Sequence, residues 1–448
     1  MSGRWVIGFT HQAVSTSRNA RPENGVIPVD ELIDGHGEKC FVGRLNHLHL
    51  HMEPTGEKRL KITDFRTLTL GTPWRNISYL IIETDAGIVG YGESRIVCRT
   101  HTVLEYLRDV RRHIVGHEVY DIEALYRRLT LLDFGRPGEV VMTGLAMVEM
   151  ACWDAIGKAC GQPVYRLIGG KVHDRIEAYA NGWYTVERSP GEFAEAARRV
   201  VERGYRGMKF DPFGSGDLEL SREEFRKSVE LVGAVREAVG ADVQLYIEMH
   251  GRFAPHQAVE VARAIEVYHP AWIEEPTRPN DLAALKQVEA HTSIPIATGE
   301  RLYGAQDFKP LWALQAAHVI QPDMTQGGGF LETKKIASTA ETHSVMVALH
   351  NVGGIISTSA GLQLMCTLRN AKVLEHFNDF ADAHVKQAGS NYPEVVDGYF
   401  EVADRPGWGV ELDEDFIAAH PPDYIDGVAQ DPGLNMFVDA AWNVRGQR

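Results

Sequence analysis

The sequence predicts an α/β protein, a parallel (β/α)8 barrel preceded by a smaller α+β domain. Three observations carry this expectation. From about Arg175, short apolar runs ending in polar residues alternate with amphipathic stretches, as in a parallel sheet. The runs number eight, the count of a closed barrel. From Glu248 onward, the polar residues that close them recur at a nearly constant interval of about one βα unit.

Taken in order, residues 1 to about 57 show no sustained period and hold Pro22, Pro28 and Pro54, so they predict an irregular extension. His47, His49 and His51 alternate there. They read as a half-buried edge strand, although one face of such a strand could bind metal. From Lys61 to Ser94, a strand-like run (Ser78–Thr84), a turn (Asp85–Gly87) and a return run (Ile88–Gly92) predict an antiparallel sheet. His101–Leu132 and Thr143–Ala159 carry helical apolar spacing, the second through Met147, Met150, Trp153 and Ile156. The eight barrel runs are then Glu177–Ala180, Gly207–Phe210, Val243–Glu248, Ala271–Glu274, Ile294–Glu300, His318–Asp323, Val345–His350 and Lys372–Glu375. Between them, Ser221 and Glu224 read as a capping box, and Phe225, Val229 and Val232 share a helical face. After Phe377 the alternation stops, and sequence rich in Gly and Pro runs to Arg448.

Composition bounds the function. A chain of 448 residues, 44% apolar and 24% charged, can bury a large core and is neither disordered nor fibrous. The 61 Asp and Glu against 46 Lys and Arg leave a net charge of −15, which repels phosphates and argues against nucleic-acid and membrane partners. An anionic substrate would therefore need a local cation. The 5 cysteines are scattered without C-x-x-C spacing, which predicts reduced thiols and a cytoplasmic protein. The N-terminal residues turn polar before a signal peptide's apolar stretch could form, so no export is expected. Thr342–Leu368 lacks charged residues, but His343, His350, Asn351, Gly353 and Gly354 dilute it, and a buried strand followed by a buried helix is expected rather than a membrane span.

The chemistry lies at the run ends: Lys209, Glu248, Glu274, Glu300, Asp323, His350 and Glu375. In a closed barrel the C-terminal ends of the strands converge on one face, so these residues would meet around one point. Three carboxylates in so small a volume need a counter-charge, and all-oxygen ligation favours Mg²⁺ over zinc.

Glu248-x-His250-Gly-Arg, Ile273-Glu-Glu-Pro276, Thr298-Gly-Glu300, Gln321-Pro-Asp323 and Leu349-His-Asn351 together resemble the mandelate racemase subgroup of the enolase superfamily. Glu149–Val164 and Pro406–Glu414 are similar to the same family's cap-to-barrel helix and C-terminal cap segment. The resemblance spans roughly residues 60 to 420. It implies a modified TIM-like (β/α)8 barrel closed by an α+β capping domain built from both ends of the chain. The expected divisions are an extension (1–57), a cap (58–174), a barrel (175–377) and a segment returning to the cap (378–448).

The resemblance also implies roles. Glu248, Glu274 and Glu300 match the Mg²⁺ ligands, the first of which is usually Asp in this family. His350 with Asp323 matches a His–Asp dyad that removes a proton α to a carboxylate, giving an enediolate stabilised by the metal. Lys209 matches a lysine that holds the substrate carboxylate, and Glu375 a residue that hydrogen-bonds the enediolate. Asp211 stands where a two-base racemase carries a second lysine, which disfavours racemization, and it is expected near the substrate. Glu248-x-His250 resembles galactonate-type acid-sugar dehydratases, with His250 protonating the departing β-hydroxyl. Trp74, Arg75 and Arg301 are candidate substrate contacts, and Arg252, Arg278 and Tyr303 also lie near run ends.

The implied function is dehydration of a small-molecule sugar acid, an aldonate or aldarate, to a 2-keto-3-deoxy acid by a carbon–oxygen lyase. The alternatives are an epimerase using the same dyad and a catalytically silent ligand-binding paralogue. A dimer-built homo-oligomer, commonly an octamer in this family, is expected from the resemblance.

Overall fold

The structure, a computed structural model, describes residues 59–72, 75–97, 99–214, 216–381, 383–422, 424–425 and 428–429. The extension with its three alternating histidines, Cys40, Cys98 and the candidate contact Trp74 lie outside them.

The chain has a mixed α/β fold with an N-terminal capping domain and a C-terminal barrel-like domain. The cap opens with an antiparallel sheet of β1 (Ile62–Leu70), β2 (Ile77–Thr84) and β3 (Val89–Ser94), the last two joined by the expected turn. Helices α1 (Thr100–Ile114), α2 (Ile122–Leu132) and α3 (Glu139–Cys160) cover it. The helical spacing of His101–Leu132 is shared by two helices rather than one, because the chain turns at Gly116 with φ +85°. Leu80, Ile82, Leu107, Leu145 and Met147 belong to a buried core of the cap itself. α3 lies directly on β3: a Cβ on Gly92 would stand 1.8 Å from the Met147 carbonyl oxygen, so a larger residue there would push the helix off the sheet. Among the described residues α3 is long and apolar enough to cross a membrane, but 83% of its most apolar window is buried inside the protein, as in a core helix.

After the short α4 (Val164–Leu167), the eight runs become strands β4 (Arg175–Ala180), β5 (Gly207–Phe210), β6 (Gln244–Glu248), β7 (Trp272–Glu274), β8 (Ile296–Thr298), β9 (Val319–Ile320), β10 (Met346–Val347) and β11 (Leu374–His376). Helices α5 (Pro190–Glu202), α6 (Arg222–Val239), α7 (Pro255–Ile265), α8 (Leu282–Glu289), α9 (Ala305–Leu314), α10 (Phe330–Thr342) and α11 (Ile355–Met365) connect them. Strands β4 to β10 pair in chain order, each parallel to the next. β11 pairs with β4, and Val347 forms a parallel bridge with Ala371. The uncharged stretch from Thr342 to Leu368 forms β10 and the fully buried α11. At α6, the Ser221 hydroxyl accepts from the Glu224 N–H at 3.1 Å, but the Glu224 side chain pairs with Arg188, so only half of the capping box forms.

The inward-facing residues explain how the site is carried. Tyr179, Tyr246, Trp272, Ala297 and Val319, on β4, β6, β7, β8 and β9, together with Ala348 and Val373 immediately beside β10 and β11, form a buried layer, with Tyr246 and Trp272 stacked at 3.7 Å between ring centroids. Gly207 makes room for it, since a Cβ there would lie 2.9 Å from the Tyr246 ring. Because side chains alternate along a strand, Asn181, Lys209, Glu248, Glu274 and Glu375, each two residues further on, face the same interior.

Beyond β11 come β12 (Gly389–Ser390), β13 (Val395–Val396), β14 (Tyr399–Glu401), β15 (Glu411–Leu412) and α12 (Glu414–Ala419). β14 adds antiparallel to β4, and the Gly71 N–H donates to the His420 carbonyl at 2.8 Å, bringing this segment to the end of β1.

Three buried carboxylates tie the cap to later parts of the chain. Glu93 accepts the N–H groups of Gly354 (2.5 Å), Ile356 (2.9 Å) and Ser357 (3.3 Å) at the start of α11. Glu149 accepts those of Phe330 (2.7 Å) and Leu331 (2.9 Å) at the start of α10. Asp154 accepts those of Tyr91 (3.1 Å) and Trp408 (2.7 Å). The first two satisfy the unpaired donors and the partial positive charge of a helix N-terminus. Burial pushes the Glu93 and Glu149 carboxyls up to about 7, with the N–H bonds opposing the rise, and Asp154 to about 6, opposed first by the Lys158 ammonium 2.9 Å away.

Candidate active site

The strand ends bring Lys209, Glu248, Glu274, Glu300, Asp323, His350 and Glu375 together. Glu248 and Glu274 are register partners on adjacent parallel strands, and one oxygen from each of Glu248, Glu274 and Glu300 lies within 4.8 Å of the others. The Lys209 ammonium stands 2.6 Å from Glu274, 3.1 Å from Glu375 and 3.2 Å from Glu248. Burial works against its charge, but these carboxylates hold it protonated well above the ordinary lysine range. Trp272 donates its indole N–H to Glu274 at 3.0 Å.

One lysine does not satisfy the cluster. Burial, then mutual repulsion, raises the Glu274 carboxyl well above its usual range, and burial also raises Glu248. Glu248 Oε2 is buried and makes no well-formed hydrogen bond, although Lys209 lies 3.2 Å away. A hard divalent cation fits this all-oxygen donor set.

On the next two strands, His350 Nδ1 lies 2.7 Å from Asp323 Oδ2 and its Nε2 lies 3.3 Å from Glu300. Asp323 is itself fixed, its Oδ1 accepting the Thr325 N–H and hydroxyl at 2.7 Å each and the Gln326 N–H at 3.1 Å. Burial alone would lower the His350 imidazolium, but Glu300 first and then Asp323 lift it to about 10. Neutralising Glu300 would therefore bring it back toward the range of a base.

Glu375 accepts from Asn181 Nδ2 at 2.7 Å and from the Asn351 N–H at 2.9 Å, and lies beside Lys209. Burial raises its carboxyl, yet Lys209 and His350 hold it below the usual range. It thus links Lys209, Asn181 and the backbone after His350.

His250 is reached by a second carboxylate. Its Nδ1 lies 2.6 Å from Asp211 Oδ2, and Arg252 donates to both Asp211 oxygens at 2.7 Å each. Burial raises the Asp211 carboxyl, but Arg252 and His250 outweigh it and bring it down to about 2. Both Asp211 oxygens are thus engaged within the protein, Oδ2 by His250 and Arg252 and Oδ1 by Arg252. Arg252 is fully buried, with Nε and Nη1 donating to the carbonyls of Met249 and Gly214. Arg278 pairs with Asp217 at the surface. Arg301 is held by Glu275 through Nε at 2.7 Å, with about a third of its side chain exposed. The carbonyl of Arg75 accepts from Arg95 at 3.1 Å.

Asn181, directly after the first barrel strand and two residues beyond Tyr179, was missed because its run carries no charged residue at its end.

Comparison with known proteins agrees with this geometry. Residues 69–169 match the N-terminal domain of the mandelate racemase / muconate lactonizing enzyme family, and 192–416 match its enolase C-terminal domain-like partner. A D-gluconate/D-galactonate dehydratase from Picrophilus torridus is 33% identical over 345 residues, which are 77% of this chain and 88% of that protein. A D-gluconate dehydratase from Thermoproteus tenax is 35% identical, over 83% of this chain and 74% of that one. A crystal structure of a mandelate racemase/muconate lactonizing enzyme from Jannaschia sp. CCS1 superposes with a TM-score of 0.77 at 32% identity, covering 82% of this chain and 98% of that one. The chain therefore belongs to the mandelate racemase/muconate lactonizing enzyme family of the enolase superfamily.

Proposed function

We propose that the protein is a Mg²⁺-dependent dehydratase, a hydro-lyase that converts a sugar acid into a 2-keto-3-deoxy acid. The observation that carries this reading is a pair of histidines, each backed by its own aspartate, at the rim of one carboxylate cluster: His350 with Asp323 and His250 with Asp211. The relatives named as gluconate and galactonate dehydratases support it.

In this reading the substrate carboxylate is held by Lys209. His350, oriented by Asp323, takes the α-proton on Nε2, and Lys209 stays charged to balance the developing enediolate. His250, oriented by Asp211, gives a proton to the departing 3-hydroxyl, and the resulting enol tautomerises to the ketone. Mg²⁺, held by Glu248, Glu274 and Glu300, would supply the further positive charge that so weak a carbon acid requires. A two-base epimerase gains no support from the second barrel strand, because Asp211 is committed to Arg252 and His250.

The β11–β4 pairing and the Val347–Ala371 bridge support reading the eight strands as a closed ring, with 58–174 and the returning 378–448 as cap and 175–377 as barrel. Free thiols at Cys152, Cys160 and Cys366 support a cytoplasmic location, and the family resemblance supports a dimer-built oligomer.

The test is a screen of mono- and dicarboxylic sugar acids with Mg²⁺, detecting 2-keto-3-deoxy products with a carbonyl reagent beside an EDTA control. A metal-dependent product is expected. A blank across the panel with folded, Mg²⁺-loaded protein would overturn the reading.

A further inference from the structure

Trp272 and Glu274 are the first and last residues of β7, so their side chains lie on one face of the strand. The indole N–H donates to Glu274 Oε2 at 3.0 Å, and Lys209 Nζ donates to Oε1 at 2.6 Å. Each oxygen of this carboxylate thus has its own donor, which sets the plane of the group. The ring that carries the N–H is itself held in place. It stacks on Tyr246 at 3.7 Å between centroids, with 23° between the planes, and meets Tyr179 edge-on at 5.7 Å and 84°. Tyr179 and Tyr246 form a third pair at 5.0 Å and 61°. None of the three rings is more than 1% exposed.

The two donors differ in what they do to charge. The Lys209 ammonium also stands 3.1 Å from Glu375 and 3.2 Å from Glu248, so it is shared among three acids and repels any second cation placed near them. An indole N–H carries no net charge and donates in one direction only. It satisfies and orients Glu274 Oε2 while leaving the negative charge to a metal ion, the part that hydrogen-bonding groups behind metal ligands play in general. Close-packed rings have little room to change rotamer, so the orientation is a fixed one. Fixity matters to the choice of ion. Mg²⁺ and Ca²⁺ are both hard and both take oxygen ligands, so three carboxylates alone do not choose between them. Geometry does, because Mg²⁺ demands short bonds in a near-ideal octahedron, whereas Ca²⁺ accepts a looser and more variable set of oxygens.

We propose that Trp272 is a positioning residue for the metal, whose N–H holds the Glu274 carboxylate in one orientation and thereby favours Mg²⁺ over Ca²⁺. The proposal rests on the reading of Glu248, Glu274 and Glu300 as the metal ligands. Loss of the N–H leaves Glu274 held by Lys209 alone, so the carboxylate is loosened rather than removed. The ion with the stricter geometry feels that loosening more than the tolerant one.

The test measures Mg²⁺ and Ca²⁺ affinity by titration calorimetry on the full chain after EDTA treatment and dialysis. Wild type is compared with Trp272→Phe and with a chain carrying benzothienylalanine at position 272, which keeps both fused rings and replaces the N–H by sulfur. Both altered chains are expected to bind Mg²⁺ about 10- to 100-fold more weakly, as for loss of a group behind a metal ligand. Their Ca²⁺ affinity should change by less than about threefold, so the preference for Mg²⁺ falls. A structural role alone would weaken both ions together in Trp272→Phe, whose ring is smaller, and neither in the sulfur analogue; either result would overturn the proposal. The analogue decides the matter if Trp272→Phe does not fold. If wild type itself binds no Mg²⁺, the ligand assignment has failed and the proposal fails with it. If wild type binds Mg²⁺ and the analogue matches its affinity for both ions, the ligand assignment stands and the role of Trp272 is refuted.

Discussion

Asp211→Asn separates the two histidines. The substitution keeps the shape of the side chain and removes its charge, leaving the fully buried Arg252 without the anion that meets it twice at 2.7 Å. Breaking a buried ion pair on one side costs about 3–5 kcal/mol in general. The fall of the Asp211 carboxyl from 3.8 to about 2 gives a lower figure, about 2 kcal/mol. The lower figure applies, because it compares the carboxylate with a neutral group of the same size, as Asn is. A depressed carboxyl stabilises the fold above its unfolded value, and that contribution is lost as pH falls through about 2. Denaturant titrations at pH 7 should therefore show a deficit of about 2 kcal/mol that shrinks below pH 3.8. The chemical consequence is larger for one step than for the other. Elimination, which needs a well-oriented His250, should fall about 100- to 1,000-fold. Exchange of the α-proton with solvent deuterium, which needs only His350, should fall less than about tenfold. Mass spectrometry of recovered substrate and a carbonyl assay of product read the two rates in one reaction. Elimination and exchange falling together, or neither falling, would refute the assignment of Asp211 to His250.

Further outcomes are expected. His350→Asn should abolish both exchange and elimination with an unchanged circular dichroism spectrum; a wild-type rate would remove His350 from the chemistry. Chelation should abolish activity and Mg²⁺ restore it, and Glu274→Gln should weaken Mg²⁺ binding about 100-fold or more by calorimetry, since a charged ligand is replaced by a neutral one. For Glu149, burial lifts the folded carboxyl to about 7, so the folded state holds its proton more tightly than the unfolded one. Its contribution to stability is therefore greatest below 4.5 and declines as pH rises to about 7. Glu149→Gln should remove that decline, whatever its constant cost, and denaturation midpoints at pH 5 and 7.5 that keep the wild-type difference would contradict this.

The parts of the fold legible in the sequence are those governed by short-range periodicity. Parallel strands buried on both faces leave continuous apolar runs, so β4 to β11 could be located even where, as at β9 and β10, only two residues form the regular ladder. The acidic interval survived for the same reason, since each βα unit has a similar length. The break at Gly116 was masked because the apolar spacing resumes beyond it. The Arg252–Asp211 pair was unreadable, since the two residues are 41 positions apart and meet only when two strand ends are adjacent. Asp211 consequently looked like a missing base rather than half of a dyad. Glu224 shows the opposite failure: the local pattern promised a reciprocal cap, and Arg188 took the side chain.

The three buried carboxylates bear on how this protein could be recombined with its relatives. Exchanging caps is an attractive route to new substrate preference. Here, however, Glu93 and Glu149 leave with the cap while the N–H groups they satisfy stay behind on α11 and α10. A donor cap lacking acids at those two positions would strand buried amides in the recipient, at about 1–3 kcal/mol each. Productive crossovers in this lineage should then preserve acid and helix start as a pair, and a chimera that fails to express is first repaired by restoring Glu93 and Glu149, not by altering the mouth of the site.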